Sequence, residues 1–367
     1  MPHGVTSDPA SANGLPACTA GPGGRSDGER AASFPRLLAV GLAILLPLLT
    51  GAAAAETSTI RVAQQFGLGY LPLMIMEDQK LVEKAVAAAG LPPVAVTWAK
   101  VGGPAAVNDA LLSGSVDFAA GGLPALLTLW SRTKDARSAV KGVAAISEMP
   151  FDFVVNRPGI QSLDDFTPQD KIAVTSIKVS NQALVLEMAA AQRYGMAQYD
   201  KLDVLTVSLS HPDSVLALKS GSMGIVGHIS APPFQQEERK IPGARVLFTS
   251  YDVLGGPATF ITLWSTARFH DENPRTYAAF YGAIGQAMAY IGADKRGAAE
   301  TYKRLTGDRM DVAEIVAILE DPKVAYTLAP HGVMTFAKFM HDIGRNKSMP
   351  GDWREVYFPE ASALPGN

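Results

Sequence analysis

The chain is almost without cysteine. Cys18 is the single thiol in 367 residues, so no disulfide can close within the chain. A charge bias is missing too. Lys and Arg total 32 against 35 Asp and Glu, a formal net charge of −3, which leaves no electrostatic footprint for nucleic acid. Histidine is scarce: His3, His211, His228, His270, His331 and His341 include no pair at the helical spacing of a zinc motif. Neither a metal nor another cofactor is therefore expected. The apolar run Leu37 to Leu49 falls short of the roughly 20 residues that a membrane-spanning helix needs. What is present is a hydrophobic content of 47% with 18% charged residues. That is ample for a packed core and for two lobes of ordinary domain size.

The N-terminal segment reads differently from the rest. Met1 to Ser33 is rich in Gly, Pro, Ser and Ala and has no apolar period, the composition of a disordered leader. Arg36, the apolar run and the small residues Thr50 to Ala55 then follow the three-part plan of a secretory signal peptide. Ala53 and Ala55 fit a small-residue cleavage site, which puts the cut before Glu56. Residues 1–55 are thus read as leader and cleavable signal, and the mature chain then holds no cysteine, which suits an oxidising compartment such as the periplasm.

From Ile60 onward short β-rich runs alternate with longer helical patterns, as in an α/β fold. Strands are expected at Ile60–Gln64, Val94–Trp98 and Val116–Ala119. A helix from Pro72 to Ala89 is stopped by Gly90, and another runs from Pro104 to Leu112. The plan recurs downstream, with strands at Lys171–Thr175, Asp203–Val207 and Gly224–Gly227. Between them come a helix capped by Ser180 or Asn181 and ended by Gly195, and one opened by His211-Pro212-Asp213. Ala110-Leu-Leu-Ser-Gly-Ser115 matches Ala217-Leu-Lys-Ser-Gly-Ser222. The offset exceeds the roughly 20–50 residues of a solenoid repeat and points to two similar lobes. The first lobe is placed at 56–148 and the second at 149–250. Residues 251–367 form a return crossover followed by a helical tail, Asn273 to Phe339, that packs back on the first lobe.

Ligands of open α/β sheets bind beyond the carboxyl ends of the strands, where the next helices begin. Applied to both lobes, that rule selects Phe66, Gly69, Tyr70, Gly102, Gly103 and Gly122 from the first. It selects Lys178, Ser180, Asn181, His228 and Ser230 from the second, with Gly255 on the return crossing. His211 is a weaker candidate, since it is also placed simply to begin a helix. Glycines permit close backbone approach, helix N-termini offer free N–H groups and a positive dipole end, and Phe66 and Tyr70 can cover an apolar body. Lys178 and His228 lean the site towards an anion. The sequence shows no nucleophile, base and acid trio.

The stretches Gly69-Tyr-Leu-Pro-Leu73, Gly102-Gly-Pro104 and Ala110-Leu-Leu-Ser-Gly-Ser-Val-Asp-Phe-Ala119 resemble the nitrate/sulfonate/taurine (NitT/TauT, NMT1/THI5-like) family of ABC-transporter substrate-binding proteins. Lys171 to Ser176 followed by Ser180 and a helix is similar to the start of that family's second lobe. The second copy of the motif departs from it, with Gly224 where the first has Asp117. The resemblance implies a type II periplasmic-binding-protein fold, two α/β lobes on two crossover strands that close on a solute by a hinge motion. It implies a non-enzymatic monomer in the periplasm. Its partners would be a small-molecule solute and an ABC permease with its ATPase, with no nucleic acid and no membrane contact beyond the permease. Sulfonates, nitrate, taurine and aromatic carboxylates are the solute classes it suggests. The alternatives on the same fold are an enzyme, of the pyrimidine-precursor synthase or menaquinone-pathway dehydratase type, and a ligand-presenting sensor module.

Overall fold

The computed structural model describes residues 56–367; the leader, the apolar run and the expected cleavage site lie outside the described residues. The first lobe begins with β1 (Thr59–Gln64), α1 (Leu71–Gln79), α2 (Leu81–Ala88), β2 (Ala95–Lys100), α3 (Pro104–Leu112), β3 (Phe118–Gly121), α4 (Leu123–Thr133) and β4 (Val140–Glu148). The chain then crosses to β5 (Asp152–Val155), β6 (Lys171–Val174), α5 (Asn181–Tyr194), β7 (Thr206–Ser208), α6 (His211–Ser220), β8 (Ile225–Ser230), α7 (Phe234–Glu238), β9 (Arg245–Thr249) and α8 (Ser250–Leu254). It returns through β10 (Thr259–Thr266) to α9 (Ala267–Glu272), α10 (Pro274–Ala293), α11 (Lys295–Thr306), α12 (Val312–Glu320), α13 (Val333–Asp342) and α14 (Pro359–Ser362).

Among the described residues these strands form two five-stranded sheets, ordered β2-β1-β3-β10-β4 and β7-β6-β8-β5-β9. The order is the same in each. A first strand lies between two parallel neighbours, β1 between β2 and β3, and β6 between β7 and β8. The next strand, β10 or β5, runs antiparallel. Central parallel strands are covered by helices on both faces and need apolar residues throughout, whereas the edge strand β2 is largely exposed. Accordingly every residue of β3 is buried, as are Ile172, Ala173 and Val174 of β6.

The repeated Ala-Leu-x-Ser-Gly-Ser motif ends corresponding helices, α3 and α6. Gly114 and Gly221 both turn through the left-handed region, at φ 72° and 65°, where a side chain would be strained. The flanking serine hydroxyls hydrogen-bond across each glycine, Ser113 to Ser115 at 2.9 Å and Ser220 to Ser222 at 3.0 Å. Asp117 binds Arg61 through both carboxylate oxygens, at 3.0 and 2.7 Å. Gly224, its counterpart, has φ 70° and approaches the Gln169 carbonyl, a place with little room for a carboxylate.

The two crossings are tied together. Ser250 N donates to Phe151 O at 2.8 Å and Phe151 N donates to Ser250 Oγ at 3.1 Å. The tail packs mainly on the first lobe, with α10 against α1 and α2 and α11 against α1. Phe118 of β3, fully buried, anchors it: its ring stacks on Phe280 of α10 at 3.8 Å and meets Phe269 edge-on at 4.9 Å. No helix among the described residues is long and apolar enough to cross a membrane.

Three local expectations differ from the structure. The helix expected from Pro72 to Ala89 is broken by Lys80, whose φ of 52° turns the chain between α1, buried from Leu71 to Met76, and a half-buried α2. The strand expected at Asp203–Val207 starts only at Thr206, because residues 203–205 form a 3-10 turn that leaves Val204 exposed. The tail is not continuously helical either. Residues 321–332 run irregularly, Ala325 pairing with Glu148 and the Tyr326 hydroxyl donating to Leu68 O at 2.9 Å.

Replacing Phe118 with alanine removes the ring that joins sheet to tail and should cost about 3–5 kcal/mol. Leu112→Ala, at a side chain 56% exposed, should cost under about 0.5 kcal/mol. Urea denaturation of both variants checks the contrast, and equal losses would refute the anchoring role.

Candidate functional site

The three parallel strands of each sheet end at the edge that faces the other lobe, and the helices that follow them start there. Between the lobes lies a small cavity of about 20 Å³ lined by Gln65, Phe66, Tyr70, Pro104, Gly122, Thr175, Ser180, Asn181, Gln182, His211, Phe260 and Ile261. That is room for about one water, so a larger solute enters only if the lobes part. Five helix N-termini contribute to this wall: Tyr70 precedes α1, Pro104 opens α3, Gly122 precedes α4, Ser180 with Asn181 and Gln182 begins α5, and His211 opens α6. The wall carries no Lys, Arg, Asp or Glu. Its polarity comes from helix ends, amides, hydroxyls and one imidazole.

Each lining residue is held by local chemistry. Ser180 Oγ accepts from Ala183 N at 3.2 Å, capping α5. The N–H groups of Asn181 and Gln182, in the first turn of α5, have no intrahelical partner by helix geometry. Ser210 Oγ caps α6 in the same way through Asp213 N and so fixes His211. Gln65 Nε2 donates to Ala120 O at 3.1 Å. Burial pushes the Tyr70 hydroxyl well above its ordinary range, so it stays protonated. Burial, with His228 beside it, pushes His211 well below the ordinary histidine value.

The lobes meet around the cavity through backbone groups and one side-chain amide. Leu68 N donates to Pro232 O at 2.9 Å and Asn181 Nδ2 to Phe260 O at 2.6 Å. Gly103 lies against the Thr175 carbonyl, and Gly122 against the Asn181 amide, so closely that a Cβ on either would collide. Further out, Arg345 of the tail pairs with the buried Glu187 of α5 at 2.7 Å and Lys240 pairs with Glu314 at 2.5 Å.

The NMT1-like family model matches residues 53–306, well over half of the chain. The chain belongs to this family. Among curated proteins nothing matches. Among solved structures the fold is similar to the alkanesulfonate-binding protein of Xanthomonas axonopodis pv. citri bound to MOPS, with 17% identity and a TM-score of 0.64 over 84% of this chain and 99% of that one. The periplasmic aliphatic sulphonate binding protein of Escherichia coli matches with 16% identity and a TM-score of 0.59 over 83% and 92%. The periplasmic nitrate-binding protein of Synechocystis PCC 6803 matches with 15% identity and a TM-score of 0.59 over 82% and 84%. With two sheets of the strand order described and a tail on the first lobe, this family member has the periplasmic-binding-protein fold.

Of the residues expected at the site, Phe66, Tyr70, Gly122, Ser180 and Asn181 line the cavity. Gly103 forms the lobe contact beside it, and Gly69 lies behind it under the Phe260 ring. His228 is fully buried one layer behind His211, and Ser230 is fully buried off the wall. Lys178 is displaced from the cavity: a φ of 62° turns it outward and its ammonium meets Asp203 at 3.6 Å. Gly102 is exposed, and Gly255 serves as the left-handed C-cap of α8. The sequence reading missed Gln65, Thr175, Gln182, Phe260 and Ile261. Gln182 had a signal, directly following the capping pair. Phe260 and Ile261 had none, since they arrive on the return strand.

The two glycine contacts generate a test. Gly103 has an extended backbone, φ −171°, that alanine adopts freely. Gly103→Ala should therefore leave the fold of each lobe intact but hold the lobes apart, weakening solute affinity about tenfold or more, since only the closed form encloses solute. Calorimetric affinities of parent and variant decide it; equal values would show that closure does not need this approach.

Proposed function

We propose that the chain is the solute-binding component of an ABC importer, exported to the periplasm. It captures a small anionic organic solute between its lobes and delivers it unaltered to a membrane permease driven by an ATPase. The observation that carries this is the convergence of five helix N-termini on an interlobe cavity whose wall holds no carboxylate. Helix N-termini favour negative charge through their dipoles and unpaired N–H groups. Phe66, Tyr70, Phe260 and Ile261 supply apolar surface for an organic body. Sulfonates, nitrate and aromatic carboxylates fit that chemistry, and the similarity to two sulfonate-binding proteins and a nitrate-binding protein supports it. No reaction is needed: a solute that binds the closed form more tightly than the open form shifts the population towards closure, and the closed form is what a permease would recognise.

A melting screen of the purified protein with nitrate, alkanesulfonates, benzoate and neutral pyrimidines tests the reading. A solute at about 100 times its dissociation constant adds roughly 2.7 kcal/mol, a shift of several degrees. The expected result is stabilisation by at least one anion, recovered chemically unchanged. Stabilisation by neutral compounds alone, or consumption of the solute, would overturn it.

A further inference from the structure

Behind the second-lobe wall of the cavity runs a continuous chain of polar side chains. Glu238 of α7 meets His228 Nδ1 at 2.6 Å, His228 Nε2 meets His211 Nδ1 at 2.9 Å, and His211 Nε2 meets Gln182 Nε2 at 3.3 Å. The Thr175 hydroxyl then donates to Gln182 Oε1 at 3.1 Å. Glu238 and His228 are fully buried, and the outer members His211, Gln182 and Thr175 line the cavity. The Phe234 ring, stacked on His211 at 5.3 Å, holds the imidazole plane. Sealing a carboxylate and two imidazoles in one lobe costs stability, and packed apolar residues would serve the fold as well or better.

With Glu238 ionised and both rings neutral, only one order of donors and acceptors satisfies these contacts. The Glu238 carboxylate accepts from His228 Nδ1–H, so neutral His228 presents a lone pair at Nε2. That lone pair accepts from His211 Nδ1–H, which leaves His211 Nε2 bare and accepting from the Gln182 amide. In this state the relay carries one negative charge and shows the cavity an acceptor, the wrong sign for an anion. One proton from solvent, placed on His211 Nε2, brings the relay from −1 to 0 and turns that acceptor into a donor. The Gln182 contact, the longest in the chain, is the one an anion's oxygen would replace.

We propose that His211 is a solute-contacting residue of the cleft and that Glu238 and His228 are its positioning residues, so that an anionic solute is captured together with one proton. This rests on the anion-binding reading above. The free protein holds His211 neutral, because burial and the neighbouring His228 disfavour its charged form, and the arriving negative charge is what draws the proton in. The ionisable groups facing His211 are His228 from β8 and, through it, Glu238 from α7; Gln182 from α5 is uncharged. On its own helix, Asp213 is exposed and engaged with Ser210. Asp152 of β5, paired with Arg239, lies within electrostatic reach of Glu238, and burial pushes it up to about 6. Glu187 at the outer lobe contact is also raised by burial, with Arg345 opposing.

The test is calorimetry of the purified protein with nitrate, ethanesulfonate and benzoate, in buffers of different ionisation heat, from about pH 7.5 to about pH 9, where Asp152 is largely ionised. Uptake approaching one proton per anion is expected, with affinity rising up to about tenfold for each pH unit lowered. In Glu238→Gln and His211→Gln uptake should fall towards zero and the pH profile flatten; uptake that persists in both belongs to a carboxylate outside the relay, such as Glu187, and overturns the proposal. An anion bound by the parent protein without proton uptake overturns the coupling while leaving anion binding intact. Failure of all three anions to bind overturns the functional reading and the coupling with it. Nitrogen NMR of the free protein needs no variant to fold. Both rings are expected neutral with the proton on Nδ1, and the opposite tautomer on His211 would overturn the relay.

Discussion

Parallel strand pairing is the constraint from which the site follows. β1, β2 and β3 run the same way, as do β6, β7 and β8. Parallel neighbours must be joined by crossovers, here helical, that start at one edge of the sheet, so their positive ends gather there. Two such edges facing each other put five helix N-termini around one small cavity. A wall without a fixed positive side chain can therefore still favour an anion. The antiparallel strands β10 and β5 are what allow this to happen twice, since each lies in one sheet and is fed from the other lobe.

Closure depends on how near two backbones can come. Leu68 donates to Pro232, and Gly103 and Gly122 leave room for the Thr175 carbonyl and the Asn181 amide. These contacts are short-range and local, whereas the covalent connection between the lobes is two crossings joined by paired hydrogen bonds between Phe151 and Ser250. The lobes differ in what lies behind their walls. The first is backed by an aromatic stack of Phe118, Phe269 and Phe280. The second carries Glu238, His228 and His211 in hydrogen-bonded sequence, so the two halves share a topology but not an electrostatic interior.

Much of the fold was legible because it is written in local terms. Apolar runs marked β1, β6 and β3 to within a few residues, Ser180 and Gly195 marked both ends of α5, and His211-Pro212 marked the start of α6. The serine-glycine-serine repeat, read as two copies of one plan, corresponds to the same turn at the ends of α3 and α6. The misses were also local in origin. Lys80 takes a left-handed conformation that propensity assigns to glycine, and residues 321–332 are held by contacts to Glu148 and Leu68 from far along the chain. At the site, the strand-end rule found the right loops but not the right side chains within them. Lys178, a charge at the expected place, points to Asp203, while the neutral Gln182 four residues on reaches the cavity.

The amino-acid sequence by itself determined the alternation of strands and helices, the duplicated lobe and the loops that could meet a ligand, because period, capping and turn chemistry act over a few residues. Only the tertiary structure decided that Phe260 closes the cavity from the return strand, and that His228, with no acid at a motif spacing, sits between Glu238 and His211. Those assignments depend on which backbones lie side by side in the folded lobes. A buried carboxylate and imidazole select each other across space by hydrogen bonding and exclusion from water, and their separation along the chain carries no trace of it.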